Sequence, residues 1–140
     1  MTDLLQQQAQ DLFGVQLTSE QVNQFEIYAR ELADWNTRMN LTAIIEPDAV
    51  RVRHFLDSFS IASTGLLRDG MMIMDVGSGA GFPGIPLAIA FPKNRVTLLQ
   101  STGKKITLLD HIITTLGLTN VRTLHTPAEE AGRISHHRAH

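Results

Sequence analysis

The stretch Met71 to Phe91, MMIMDVGSGAGFPGIPLAIAF, limits what this chain can fold into more than any other. Four apolar residues, Met71 to Met74, lead into Asp75 and Val76. Glycines then stand at alternate positions, Gly77, Gly79 and Gly81, and Pro83, Pro86 and an apolar helical pattern follow. This order predicts a buried strand, a tight turn and the start of a helix. Glycine lets the backbone turn sharply and lets a ligand approach where a Cβ would clash. The helix beyond is expected to present free N–H groups and the positive end of its dipole, which suits a nucleotide-like ligand with anionic or polar groups. The position where a dinucleotide fingerprint requires Gly or Ala is Phe82, so G-x-G-x-x-G fails and G-x-G-x-G fits. A purely structural strand-to-helix turn is the plainer alternative.

A chain of 140 residues is one domain's worth and can bury a core. No apolar run is long enough to cross a membrane, and the opening MTDLLQQQAQ lacks the basic start and apolar centre of a signal peptide, so the expected location is the cytoplasm. Without cysteine the chain makes neither disulfides nor thiolate chemistry. Charge is uneven. Residues 1–50 carry two Lys/Arg against eight Asp/Glu, and residues 51–140 carry ten against six. A basic second half suits a polyanion such as RNA, or is simply a solvated surface.

Thr2 and Asp3 can start a first helix with Leu5, Ala9, Leu12 and Phe13 on one face and Gly14 as its stop. Thr18-Ser19-Glu20-Gln21 matches a capping box, and a helix from about Ser19 to Arg38 places Val22, Phe25, Ala29, Leu32 and Asn36 on one stripe with Tyr28, Trp35 and Met39 beside it. Pro47 opens a third helix that runs to about Ser63. In it, Arg53 and Asp57, and His54 and Ser58, are spaced to meet on the helix surface. His54 with Asp57 suggests acid–base chemistry only weakly, since no nucleophile or metal cluster stands nearby. From Met71 the pattern alternates: strand Met71–Val76, helix Pro83–Ala90, strand Arg95–Gln100, helix from Thr102 or Gly103 to Leu116 with Gly117 as cap, strand Val121–Leu124, and a helix beginning at Pro127. That order predicts right-handed crossovers and a parallel sheet.

Ligands of such sheets sit beyond the carboxyl ends of the strands, here Asp75 to Phe82, Gln100 to Thr102 and His125 to Glu130. At the end of the second strand an acidic side chain is expected for ribose hydroxyls. The chain has Gln100, whose amide oxygen still accepts a hydrogen bond without the help of charge, and Ser101 beside it.

Three stretches together resemble the RsmG (GidB) family: Trp35-Asn36 with Asn40-Leu41-Thr42, Arg53-His54-Phe55-Leu56-Asp57-Ser58, and Asp75 through Leu87, DVGSGAGFPGIPL. Its members are AdoMet-dependent methyltransferases that modify N7 of a guanosine in small-subunit ribosomal RNA. Leu99-Gln100-Ser101 with Gly103-Lys104-Lys105, and Ala128-Glu129-Glu130, resemble later family segments. The resemblance implies an α/β fold: N-terminal helices (1–66) followed by the first half of a Rossmann-like AdoMet methyltransferase sheet (67–140). It implies a cofactor site of Asp75, Gly77, Ser78, Gly79, Gly81, Phe82, Gln100, Ser101, Ala128 and Glu129, with S-adenosyl-L-methionine as cofactor, small-subunit ribosomal RNA as partner, no metal and no assigned catalytic base. After Gly132 the chain departs from the family and ends within RISHHRAH. It reads as C-terminally truncated, with the first strand left as an open apolar edge. A catalytically inactive AdoMet-binding or interaction module is therefore the alternative. A nicotinamide-binding domain is disfavoured by Phe82 and Gln100.

Overall fold

The computed structural model describes residues 2–39, 48–64, 67–77 and 81–126. Helices α1 (Thr2–Phe13), α2 (Ser19–Met39) and α3 (Asp48–Phe59) come first, α3 tightening into a 3-10 turn over Ser60–Thr64. Strand β1 (Met72–Val76), helix α4 (Gly84–Ala90), strand β2 (Arg95–Gln100), helix α5 (Gly103–Leu116) and strand β3 (Val121–His125) follow. The third helix therefore ends as a 3-10 turn and not as α-helix to Ser63. Asn40 to Pro47, the terminal segment from Pro127 and its histidines lie outside the described residues.

Local signals account for most of these boundaries. Gly14 adopts φ +66° and closes α1, its N–H donating to Gln10 O at 3.0 Å. The chain then folds back, Val15 N donating to Ala9 O at 3.1 Å. Val15 and Leu17 enter the core there, whereas Leu12, expected on the apolar face, is 61% exposed at the end of its helix. The capping box forms in both directions: Gln21 N donates to Thr18 Oγ1 (3.1 Å) and Thr18 N to Gln21 Oε1 (2.7 Å). Gly117 ends α5 at φ +68°, its N–H reaching the carbonyls of Ile113 and Thr114. Ser58 Oγ donates to the carbonyl of His54 at 3.2 Å, so that spacing is used through the backbone and not the imidazole.

The three strands are parallel in the order β1-β2-β3, Ile73 facing Val96 and Thr97 facing Arg122. Among the described residues β1 pairs only with β2. The amides of Gln21 and Gln24 on α2 donate to Ile89 O (2.9 Å) and Leu116 O (3.0 Å), carbonyls in the last turns of α4 and α5 that the helices themselves leave open. One apolar core runs from Leu5 and Phe25 through Phe55 and Ile85 to Leu98 and Ile112, so the N-terminal helices and the sheet are packed on each other.

Candidate cofactor site

The carboxyl ends of the three strands meet at one edge. Gly77 N donates to Leu99 O at 2.8 Å, extending the β1–β2 ladder by one residue before φ +69° turns the chain away. Thr126 N donates to Gln100 O at 2.8 Å and does the same between β2 and β3. Gly77, Gln100 and Thr126 are thereby brought side by side, as parallel pairing requires.

Two glycines of this segment are fixed by contact. Gly81 sits at φ +101°, and a Cβ there would lie 2.7 Å from Ile85 Cδ1 and 2.9 Å from Tyr28 Oη. A Cβ on Gly84 would run into Leu98 Cδ2 and come within 2.8 Å of Asp75 Oδ2. Gly84 thus lets α4 lie flush on β2, the close-packing duty that the last glycine of a dinucleotide fingerprint performs. Around Gly77 the reverse holds: among the described residues nothing lies within 4 Å of a would-be Cβ.

Asp75 is buried, and its Oδ2 accepts the Gly84 amide at 2.9 Å. This bond changes the expected character of the helix start. Gly84 N is taken by Asp75, Ile85 N by Gly81 O (2.7 Å) and Leu87 N by Pro83 O (3.1 Å), while Pro86 has no N–H. The free amides expected at the start of α4 are all engaged from Gly84 to Leu87, so these residues present no free N–H to a phosphate.

Phe82, half-buried, closes the loop against the N-terminal helices. Its ring stacks on Phe55 (5.8 Å between centroids, 19°) and lies 5.6 Å from Tyr28 and 6.1 Å from His54, which is exposed. Tyr28 is fully buried. Burial, and secondarily the Asp75 carboxylate, pushes its hydroxyl well above the ordinary tyrosine pKa. Gln100 is buried at the end of β2, while Ser101 is exposed and its carbonyl accepts from His125 Nε2 at 3.0 Å. Ser78, Gly79, Ala128 and Glu129 lie outside the described residues. Among the described residues no three His, Cys, Asp or Glu side chains gather as a metal site, and no helix is long and apolar enough to cross a membrane.

A family model described as rRNA small subunit methyltransferase G matches residues 21–139. A protein named ribosomal RNA small subunit methyltransferase G from Thermoanaerobacter sp. (strain X514) is 45% identical over 121 residues, 86% of this chain and 50% of the relative. Its namesakes from Desulfitobacterium hafniense (strain Y51) and Roseiflexus sp. (strain RS-1) are 40% identical over 136 residues and 47% over 126, covering 56% and 53% of those proteins. The chain spans about half the length of the curated relatives it matches. Among solved structures, the C-terminal domain of precorrin-6Y C5,15-methyltransferase from Rhodobacter capsulatus aligns over 59% of this chain at 19% identity with a TM-score of 0.48. With a family match over most of its length, and the glycine loop inside that match, the chain belongs to the rRNA small subunit methyltransferase G family.

Proposed function

We propose that this chain supplies the cofactor-binding half of an AdoMet-dependent methyltransferase that acts in the cytoplasm on small-subunit ribosomal RNA, at N7 of a guanosine. The observation that carries the cofactor reading is the loop after β1: uncrowded at Gly77 among the described residues, yet with the amides from Gly84 to Leu87 already satisfied. A dinucleotide needs those amides for its pyrophosphate, and AdoMet, which has no phosphate, does not. The names of the relatives, at 40–47% identity, support the RNA substrate.

When bound, AdoMet supplies the methyl group and a cationic sulfonium leaving group. The residues of this chain bind and orient. Gly77 and Phe82 would line the cofactor, with Gly81 shaping the turn and Asp75 bracing it. By the family resemblance Ser78 and Gly79 would belong to the same site, Gln100 and Ser101 would lie near the ribose, and Ala128 and Glu129 near the adenine end. A guanine nitrogen already carries the attacking lone pair, so no base is assigned to His54 or Asp57 and no metal is called upon. Holding acceptor and donor in line is the main task, and such positioning contributes roughly 7–11 kcal/mol at best.

Titration calorimetry with AdoMet and NAD, alongside transfer of labelled methyl to unmodified small-subunit RNA, tests the reading. AdoMet binding with NAD silent supports the site. Tighter NAD binding overturns it. Binding without methyl transfer, beside an active full-length relative, confines this chain to a cofactor-binding module.

A further inference from the structure

At the opposite end of the sheet from the glycine loop, the turns entering β2 and β3 enclose a cleft of about 470 Å³. Its cationic lining is Lys93, Arg95 and Arg122, and among the described residues no acidic side chain lines it. All three cations are exposed. Asp69 approaches the rim, 3.6 Å from Lys93 with both side chains in solvent, where such a pair is weak.

The cleft is held in shape. Asn120 Nδ2 donates to Ala88 O (3.0 Å), Phe91 O (3.5 Å) and Asn94 O (2.9 Å), tying the turn before β3 to the turn before β2. Arg122 is in register with Thr97, and its Nε donates to Thr97 Oγ1 at 3.3 Å, which holds the guanidinium over the strands. Arg95, two residues before Thr97, projects from the same face of the sheet. In the cleft wall Asn94 is buried, and its Oδ1 has no hydrogen-bond partner among the described residues; as an acceptor it could take a hydrogen bond from an RNA hydroxyl or base amine but not from a phosphate.

We infer that this cleft is a phosphate-binding groove for an RNA strand, separate from the cofactor site. Arg122, held by Thr97, with Arg95 and Lys93 beside it over a cleft that no described acid lines, matches the chemistry of a phosphodiester, which accepts forked guanidinium hydrogen bonds. At ~3.3 Å per residue along β2 the cleft lies about 17 Å from the glycine-loop edge. A strand gripped here can therefore also reach the other end of the sheet. The identity of the RNA rests on the methyltransferase reading; the groove itself does not.

Binding of end-labelled small-subunit RNA to the 140-residue chain, followed by anisotropy between ~50 and ~200 mM salt, tests the groove. Arg95→Gln and Arg122→Gln should each weaken binding several-fold and lower the salt slope by about 0.7–0.9, the value of one lost phosphate contact. Arg122→Lys should keep the slope, and Arg30→Gln, an exposed cation on α2, should leave affinity unchanged. Loss of the same size in Arg30→Gln would reduce the effect to net charge and overturn the groove. So would an Arg122→Lys chain whose salt slope drops like that of Arg122→Gln, or wild-type chain that binds no RNA. AdoMet calorimetry on the same variants separates the two readings: failed cofactor binding with groove-dependent RNA binding sinks only the methyltransferase reading, and the converse sinks only the groove.

Discussion

The backbone amide of Gly84 donates to Asp75 Oδ2 at 2.9 Å, joining the start of α4 to the end of β1 beneath the glycine loop. Both residues are buried, so water cannot replace either partner. Asp75→Ala leaves the amide stranded and should cost about 1–3 kcal/mol. Asp75→Asn keeps an acceptor in place and should cost less. Urea unfolding of the two variants measures the difference, and equal losses would remove Asp75 from its bracing role.

Gly81 and Gly14 both have positive φ, but only Gly81 is crowded. Gly14→Ala meets nothing within 4 Å and should lose about 1–2 kcal/mol, the cost of placing a Cβ in the left-handed region. Gly81→Ala adds a clash with Ile85 and the Tyr28 hydroxyl, for a total of roughly 2–5 kcal/mol. Thermal unfolding ranks them. A Gly81→Ala chain as stable as Gly14→Ala would mean that the neighbours give way.

Signals confined to a few residues are legible in the sequence. The Thr18–Gln21 capping box, the limits of β2 and the Gly117 cap are each set by residues only a few positions apart. What periodicity could not supply was anything set by a partner distant in sequence. Leu12 has the right spacing for the core, yet the chain folds back at Gly14 and Val15 takes its place. The satisfied amides of α4 depend on Asp75, nine residues earlier, and the need for glycine at 84 depends on Leu98. Phe82 was legible as a departure from the dinucleotide pattern. Its reason, the rings of Tyr28 and Phe55 on other helices, was not.

Gly77 separates ligand binding from stability. Its φ of +69° matches that of Gly14, and among the described residues neither is crowded, so Gly77→Ala should destabilise the free chain to a similar extent, about 1–2 kcal/mol. The added methyl points into space that the proposed cofactor approaches. AdoMet affinity by calorimetry should therefore fall by roughly tenfold or more, equivalent to about 1.4 kcal/mol. Unchanged affinity would take Gly77 out of the cofactor wall.

Tyr28 is the single tyrosine of the chain, so its ionisation can be followed by near-ultraviolet absorbance without interference from another phenol. Its pKa is raised by burial and then by the Asp75 carboxylate. Below pH ~10 the hydroxyl is protonated in the folded and unfolded states alike, and the group gives stability no pH dependence. Above pH ~10 the unfolded chain releases the proton while the folded chain keeps it, so stability falls as pH rises, by up to about 1.4 kcal/mol per pH unit. The decline stops only where the folded hydroxyl itself ionises. Tyr28→Phe should remove one proton's worth of that slope while costing about 0.5–1.5 kcal/mol at neutral pH for the lost hydroxyl. Urea unfolding from pH ~8 to ~11.5 reads both effects. An unaltered alkaline slope in Tyr28→Phe, or tyrosinate absorbance that rises near pH ~10 while the chain is still folded, would place the hydroxyl in contact with solvent and end its role as a neutral prop beneath Gly81.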